Sequence, residues 1–299
     1  MPKPTFLVLG APKCGTTSVY YYLKQHPDVY LCRKEVHFFA HGDPLYQDIA
    51  VQTWEDYLSL FDEAEDASAI GEVAVRYLYS ETAFRNIKKY LPEGKLMVFL
   101  RDPVERAFSH FLMRFRTGGM VAEDGTIPSE EKIRKEFDEK KDYVERSLYY
   151  NHIKKYYKRF PSRNISVFLL EDIKSEPSET IRNIFKFIGV DEGYSVNTDK
   201  RYNVSTVEDY NSLLVTLRRN KFLRYLRSSK IVKRLISGLI PRSLLDRLEW
   251  RRAGNSKSIK EVVDLPLDVR RKLVQYYEED ISKLETLIER DLSHWRQAK

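Results

Sequence analysis

Cysteine is nearly absent: Cys14 and Cys32 are the only two in 299 residues. Two thiols cannot build a disulfide framework and their separation fits no metal-ligand motif. A stapled scaffold and a structural zinc site are therefore excluded, and a reducing compartment is expected. Long apolar runs are missing too, none reaching the roughly 18 to 20 residues that cross a bilayer. The first apolar segment begins almost at the N-terminus, leaving no room for a charged lead, an h-region and a cleavage site, so a cytoplasmic chain is the expectation. Internal repeats and low-complexity tracts are lacking, which sets aside solenoids and linker-like disorder. Acidic residues are the minority, 44 against 51 Lys and Arg, for a formal net charge of +7. That balance favours an anionic ligand, an acidic partner or a membrane surface without choosing among them. The 42% of hydrophobic residues suffice for a substantial core, in one large α/β domain or two modest ones.

A further absence marks the stretch around which the chain is organised, Thr5-Phe6-Leu7-Val8-Leu9-Gly10-Ala11-Pro12-Lys13-Cys14-Gly15-Thr16-Thr17-Ser18. A short apolar run ending at Gly10 reads as a buried parallel strand, and the periodic segment after Thr16 reads as a helix. Glycines at 10 and 15 permit a tight turn, and amides at the helix start favour an anion. In the Walker A pattern G-x-x-x-x-G-K-[ST] a lysine follows the second glycine. Thr16 occupies that place here, and the one lysine, Lys13, lies inside the loop. A magnesium-bound triphosphate would lack its usual cation, so the ligand is expected to be a phosphate-type anion of another kind. An ordinary strand-to-helix turn is the plain alternative.

Downstream, a helix over 17–25 ends at His26-Pro27-Asp28, and an extended piece over 29–32 leads into Arg33-Lys34-Glu35-Val36-His37-Phe38-Phe39. Alternation along an extended segment puts Glu35 and His37 on one side, away from Val36. Either two proton acceptors share a face there, or this is a solvated edge strand with Glu35 paired to Lys34 or Arg33. A short helix is expected over 53–60, a core strand with Glu72 over 69–74 followed by Arg76, a helix over 81–91 and a buried strand over 95–100. Then comes Arg101-Asp102-Pro103-Val104-Glu105-Arg106-Ala107-Phe108-Ser109. Pro103 suits a first helical turn, so Arg101 stands at the carboxyl end of its strand, where open α/β sheets collect ligands. It can reach a phosphate there or pair with Asp102. Residues 117–130 are polar and glycine-rich, as a substrate-facing loop would be. Helical periodicity returns over 131–159 with Ser147-Leu148-Tyr149-Tyr150 inside it, a strand is expected over 164–170, and a helix over 181–188 is capped by Gly189.

Residues 216–252 are dense in lysine and arginine, with only Asp246 and Glu249 to offset them. Snorkelling cations on packed helices account for this stretch, and peripheral contact with an anionic membrane or an acidic carrier protein is the alternative. A final amphipathic helix is expected over 268–295. The β-α order implies an α/β, P-loop-like three-layer fold with a central, mostly parallel sheet and a C-terminal helical extension. Its core is placed at 1–210, with a basic helical region at 211–299 packed on the same domain.

Taken in order, Lys13 to Ser18, then Lys34 to Phe39, then Arg101-Asp102-Pro103 with Ser109 resemble the PAPS-dependent sulfotransferases (PAPS is 3′-phosphoadenosine 5′-phosphosulfate). The branch containing heparan sulfate sulfotransferases and their bacterial relatives is the most similar. Ser147-Leu148-Tyr149-Tyr150, Leu170-Glu171-Asp172 and Arg290-Asp291-Leu292-Ser293-His294-Trp295 extend the resemblance nearly end to end. It implies that Lys13, Cys14, Gly15, Thr16, Thr17 and Ser18 form the 5′-phosphosulfate loop and that Arg101 and Ser109 bind the 3′-phosphate. Glu35 would be the catalytic base with His37 as its helper or stand-in, Lys13 would stabilise the leaving group, PAPS would be the cosubstrate and no metal would be needed. The expected partner is a hydroxyl-bearing acceptor, most plausibly a glycan, with no nucleic acid. Two departures stand out. Val73 replaces the lysine that follows the matching glutamate in the heparan sulfate enzymes, and whether Arg76 substitutes is left open. No cysteine lies beyond Cys32, so residues 200–205, with Arg201 foremost, take the place of the family's disulfide-bearing cofactor loop. A P-loop small-molecule kinase and a non-enzymatic basic protein that binds nucleic acid or lipid are the competing classes. Acceptor choice is expected to lie in loops 43–54 and 117–130.

Overall fold

Five parallel strands in the order β2-β3-β1-β4-β5 organise the chain. They are β1 (Phe6–Gly10), β2 (Val29–Leu31), β3 (Ala69–Val73), β4 (Lys95–Leu100) and β5 (Ile165–Leu169). A computed structural model describes residues 1–44, 46, 49–116, 128–139, 142–199 and 263–297. Every residue of β1 and β3, and all of β4 beyond Lys95, is buried. Successive side chains point to opposite faces, so burial of consecutive positions requires helices on both sides, as expected for parallel strands. Gly71 makes room for an aromatic ring: it faces Phe6 in register, and a Cβ there would meet the Phe6 ring at 2.3 Å.

After β1 the chain builds β2 and β3 on one side and then β4 and β5 on the other. The loop leaving β1 therefore opens between the ends of β3 and β4, where the strand order reverses and a crevice forms. Around the sheet lie α1 (Thr16–Leu23), α2 (Trp54–Leu58), α3 (Glu81–Tyr90), α4 (Pro103–Arg116), α5 (Glu130–Asp138), α6 (Asp142–Glu145), α7 (Tyr150–Tyr157), α8 (Leu170–Ser175), α9 (Pro177–Ile188) and α10 (Leu267–Ile288). The last of these buries Val269, Leu273, Tyr277, Ile281 and Leu284 against α4 and α7. Residues 263–297 thus return to the core, where Trp295 is fully buried. The basic stretch 216–252, the expected boundary near 210 and residues 200–205 lie outside the described residues.

Three local expectations are corrected. Residues 33–39 do not form a strand: burial of Val36 and Phe38 fits alternation, but the consecutive buried pair Phe38 and Phe39 does not. The chain turns at His37 (φ 61°) into a short 3-10 turn, Phe38–Ala40. The segment 131–159 is not one helix but α5, α6 and α7, with Ser147 to Tyr149 in the turn before α7. The break is held by tertiary partners. Ser147 Oγ accepts from Arg106 Nε at 2.7 Å, and the amides of Tyr149 and Tyr150 donate to Asp280 of α10 at 2.8 and 3.1 Å. The final helix stops at Ile288 and is followed by a separate turn, Ser293–Arg296, fixed where the Leu292 amide donates to Glu285 Oε1 at 2.7 Å.

Candidate active site

The loop between β1 and α1 takes its shape from two residues in the left-handed region, Lys13 (φ 73°) and Gly15 (φ 82°). Glycine is required at the second, because that backbone disfavours a side chain and a Cβ would lie 2.6 Å from Leu170 Cδ1. No side chain caps Gly15, and the first turn of α1 carries no acidic residue. A helix start turns its first amides outward, so this end of α1 favours an anion. The Cys14 side chain turns inward with no exposure, and burial pushes its thiol up to about 12. Only its backbone is left to serve the loop, and the thiol is no nucleophile.

Lys34 joins the second motif to the loop by donating from Nζ to Thr17 Oγ1 at 2.8 Å. Next to it, His37 Nε2 donates to Glu35 Oε2 at 2.8 Å, both side chains being partly accessible. Glu35 therefore pairs with His37 rather than with Lys34 or Arg33. The turn at His37 is fixed from β3: its amide donates to Glu72 Oε1 at 2.9 Å. Glu72 has no exposure and also accepts from the Tyr57 hydroxyl at 2.7 Å and the Tyr77 hydroxyl at 2.8 Å. Burial raises the Glu72 carboxyl above its ordinary range, and those donors pull it back. Beside Glu35 and His37 opens a cavity of about 340 Å³, whose wall includes Arg33, Lys34, Tyr46 and Arg76. Val73 is buried in the core, so its position presents nothing to this cavity. Arg76 lies in the wall, stacked 5.1 Å from the Tyr46 ring centroid.

At the end of β4, Arg101 is held twice. Its carbonyl accepts from the Tyr149 hydroxyl at 2.9 Å, which also lies 4.0 Å from Cys14 Sγ. Its guanidinium donates to Glu105 Oε2 at 2.9 Å. Asp102 is not its partner: Asp102 Oδ1 caps α4 by accepting the amides of Val104 and Glu105 at 2.8 and 3.1 Å. Ser109 stands one turn beyond Glu105 on the same helix face. The interior behind the loop is positive. Arg106 is fully buried and donates to Ser147 and to the Tyr143 carbonyl, while burial and then Arg106 push His110 down to about 3. Arg201 lies outside the described residues. The Lys34 contact was foreshadowed only by adjacency to Glu35, and Tyr46 carried no sequence signal at all.

Read as a whole, the chain matches the model of the sulfotransferase domain over residues 3–224. It belongs to the sulfotransferase family, a family of transferases. It is 24% identical over 203 residues to heparan sulfate glucosamine 3-O-sulfotransferase 3A1 of Mus musculus, covering 67% of this chain and 48% of that protein. It is also 34% identical over 113 residues to the membrane-associated sulfotransferase kil1 of Dictyostelium discoideum, covering 36% of this chain and 22% of that one. The chain thus spans less than half the length of either curated relative. A sulfotransferase from Alicyclobacillus acidocaldarius has the same fold, with a TM-score of 0.68 at 24% identity over 99% of this chain and 100% of that one. Among the described residues no helix of this sulfotransferase-family chain is long and apolar enough to cross a membrane.

Proposed function

We propose that this chain moves a sulfuryl group from PAPS to an acceptor hydroxyl, most plausibly on a carbohydrate. One observation carries the reading: the Lys34–Thr17 hydrogen bond seats the Glu35–His37 pair beside an anion-binding loop. The donor set fits a phosphosulfate: Lys13 lies in the loop, Lys34 reaches Thr17, and the first turn of α1 carries no acidic residue. Arg101 and Ser109 stand at the neighbouring strand end, suited to the 3′-phosphate. Arg201 is assigned to the remaining nucleotide contacts from its sequence position alone.

PAPS supplies an activated sulfuryl group on a phosphate leaving group, and the chain supplies alignment, a base and charge. Glu35, anchored on one oxygen by the His37 N–H, takes the acceptor's proton as the hydroxyl attacks. Lys13 and the amides of residues 15–17 offset charge on the departing bridging oxygen, while Arg101 and Ser109 hold the nucleotide in register so that the reacting atoms line up. Nothing in this sequence of roles calls on a metal. The cavity wall of Arg33, Tyr46 and Arg76 offers stacking and hydrogen-bond donors to a sugar.

Calorimetry with 3′-phosphoadenosine 5′-phosphate (PAP) against ATP with magnesium separates this reading from a kinase. PAP should bind alone, and binding of the metal-bound triphosphate alone would overturn the proposal. With PAPS and a panel of acceptors, Glu35→Gln should lower kcat by about 10²- to 10⁴-fold without weakening PAP, and Lys13→Ala by about 10²- to 10³-fold. Turnover within twofold of wild type in either variant would remove that residue from its role.

A further inference from the structure

Arg101 does not approach the nucleotide end of the site alone. Glu105 accepts from Arg101 Nη2 on one oxygen at 2.9 Å and from Arg270 Nη2 on the other at 2.8 Å. All three side chains are shielded, Arg101 at 11% exposure, Arg270 at 17% and Glu105 at 27%. Two guanidiniums on one carboxylate leave this triad with positive charge in excess, and each guanidinium keeps further N–H donors, five in all per arginine. Glu105 and Ser109 are one helical turn apart on the same face of α4, so the triad adjoins the hydroxyl assigned to the 3′-phosphate. Arg270 arrives from α10, past residue 224 where the family match ends.

We propose that Arg270 is a specificity-determining residue of the nucleotide site, a second guanidinium for the 3′-phosphate with Glu105 as the bracket that spaces it from Arg101. The proposal rests on the sulfuryl-transfer reading above. It gives Glu105 a purpose that a simple surface ion pair lacks, because a carboxylate beside a phosphate site is unfavourable unless it sets cations in place. Paired arginines are suited to the planar, multiply hydrogen-bonded recognition that phosphate oxygens offer.

The test compares PAP with AMP, which lacks the 3′-phosphate, by calorimetry on the full chain. Wild type should prefer PAP. In Arg270→Gln the PAP Kd should rise about ten- to a hundredfold, the loss of hydrogen bonds to a charged group, with the AMP Kd unchanged and Arg270→Lys recovering part of the preference. An unchanged PAP-to-AMP ratio in Arg270→Gln overturns the proposal, and so does an equal weakening of both nucleotides, which marks a purely structural role. A wild-type protein that binds PAP and AMP equally sinks the functional reading itself, and this inference with it.

Discussion

Glu72 shows how one side chain can set a site without facing it. Three donors, the hydroxyls of Tyr57 and Tyr77 and the His37 amide, converge on a carboxylate with no exposure. Taking that carboxylate out of water is costly, which is why burial dominates its upward shift, but removing it is worse, since three buried donors then lose their acceptor. Glu72→Ala should cost about 3 to 5 kcal/mol, read as a lower urea midpoint. Tyr57→Phe deletes one donor and leaves the others satisfied, so about 1 kcal/mol is expected. A Glu72→Ala variant as stable as Tyr57→Phe would show that the carboxylate does not organise the turn at His37. Glu72 was legible as a core-strand position and, by resemblance, as a family glutamate; its donors, from α2, from the turn after β3 and from His37, are set by tertiary packing that no local pattern encodes.

Among elements, the loop from β1 into α1 was legible because its constraints are local: an apolar run too short for a helix, two glycines and a periodic segment. The same holds for the five strands, each a compact apolar run, and for the Gly189 cap of α9 (φ 87°), whereas the helix starts at Pro177, ahead of the expected 181. Legibility fails where a break is imposed from elsewhere, as between α6 and α7, or where a turn replaces extended backbone, as at His37 (φ 61°). The loop also yields a sharp expectation. Gly15→Ala forces a Cβ into the left-handed region and within 2.6 Å of Leu170 at the start of α8. The backbone term is about 1 kcal/mol; the Leu170 contact adds to it or pushes the loop off its path. A fall in Tm of a few degrees and a loss of PAP affinity should appear together. Full stability with full affinity would mean that the turn tolerates a side chain at position 15.

Over the whole molecule, what the sequence could not disclose is who meets whom across long separations. Arg101 was open to pairing with Asp102 next door, yet its partner is Glu105, shared with an arginine 165 positions further on. The C-terminal helix α10 thus reaches α4 from outside the segment that carries the motifs. A second long-range contact of α10 runs through Asp280, whose oxygens accept the amides of Tyr149 and Tyr150, while the Tyr149 hydroxyl holds the Arg101 carbonyl. Burial raises Asp280 from 3.8 to about 6, against the pull of those two amides. An acid whose folded value lies above its unfolded one keeps its proton longer in the folded chain, so it favours folding at low pH. That contribution declines as pH rises from 3.8 toward about 6 and is absent above. Asp280→Asn cannot titrate and retains one amide acceptor. The stability difference, wild type minus variant, should therefore fall with rising pH across that window, by about 3 kcal/mol, and then level off. Denaturation midpoints of both proteins at several pH values isolate this slope from every other titrating group. A difference that rises with pH over the same interval would mean the two amides outweigh burial, and α10 would then grip the start of α7 through a carboxylate that is most stabilising when charged.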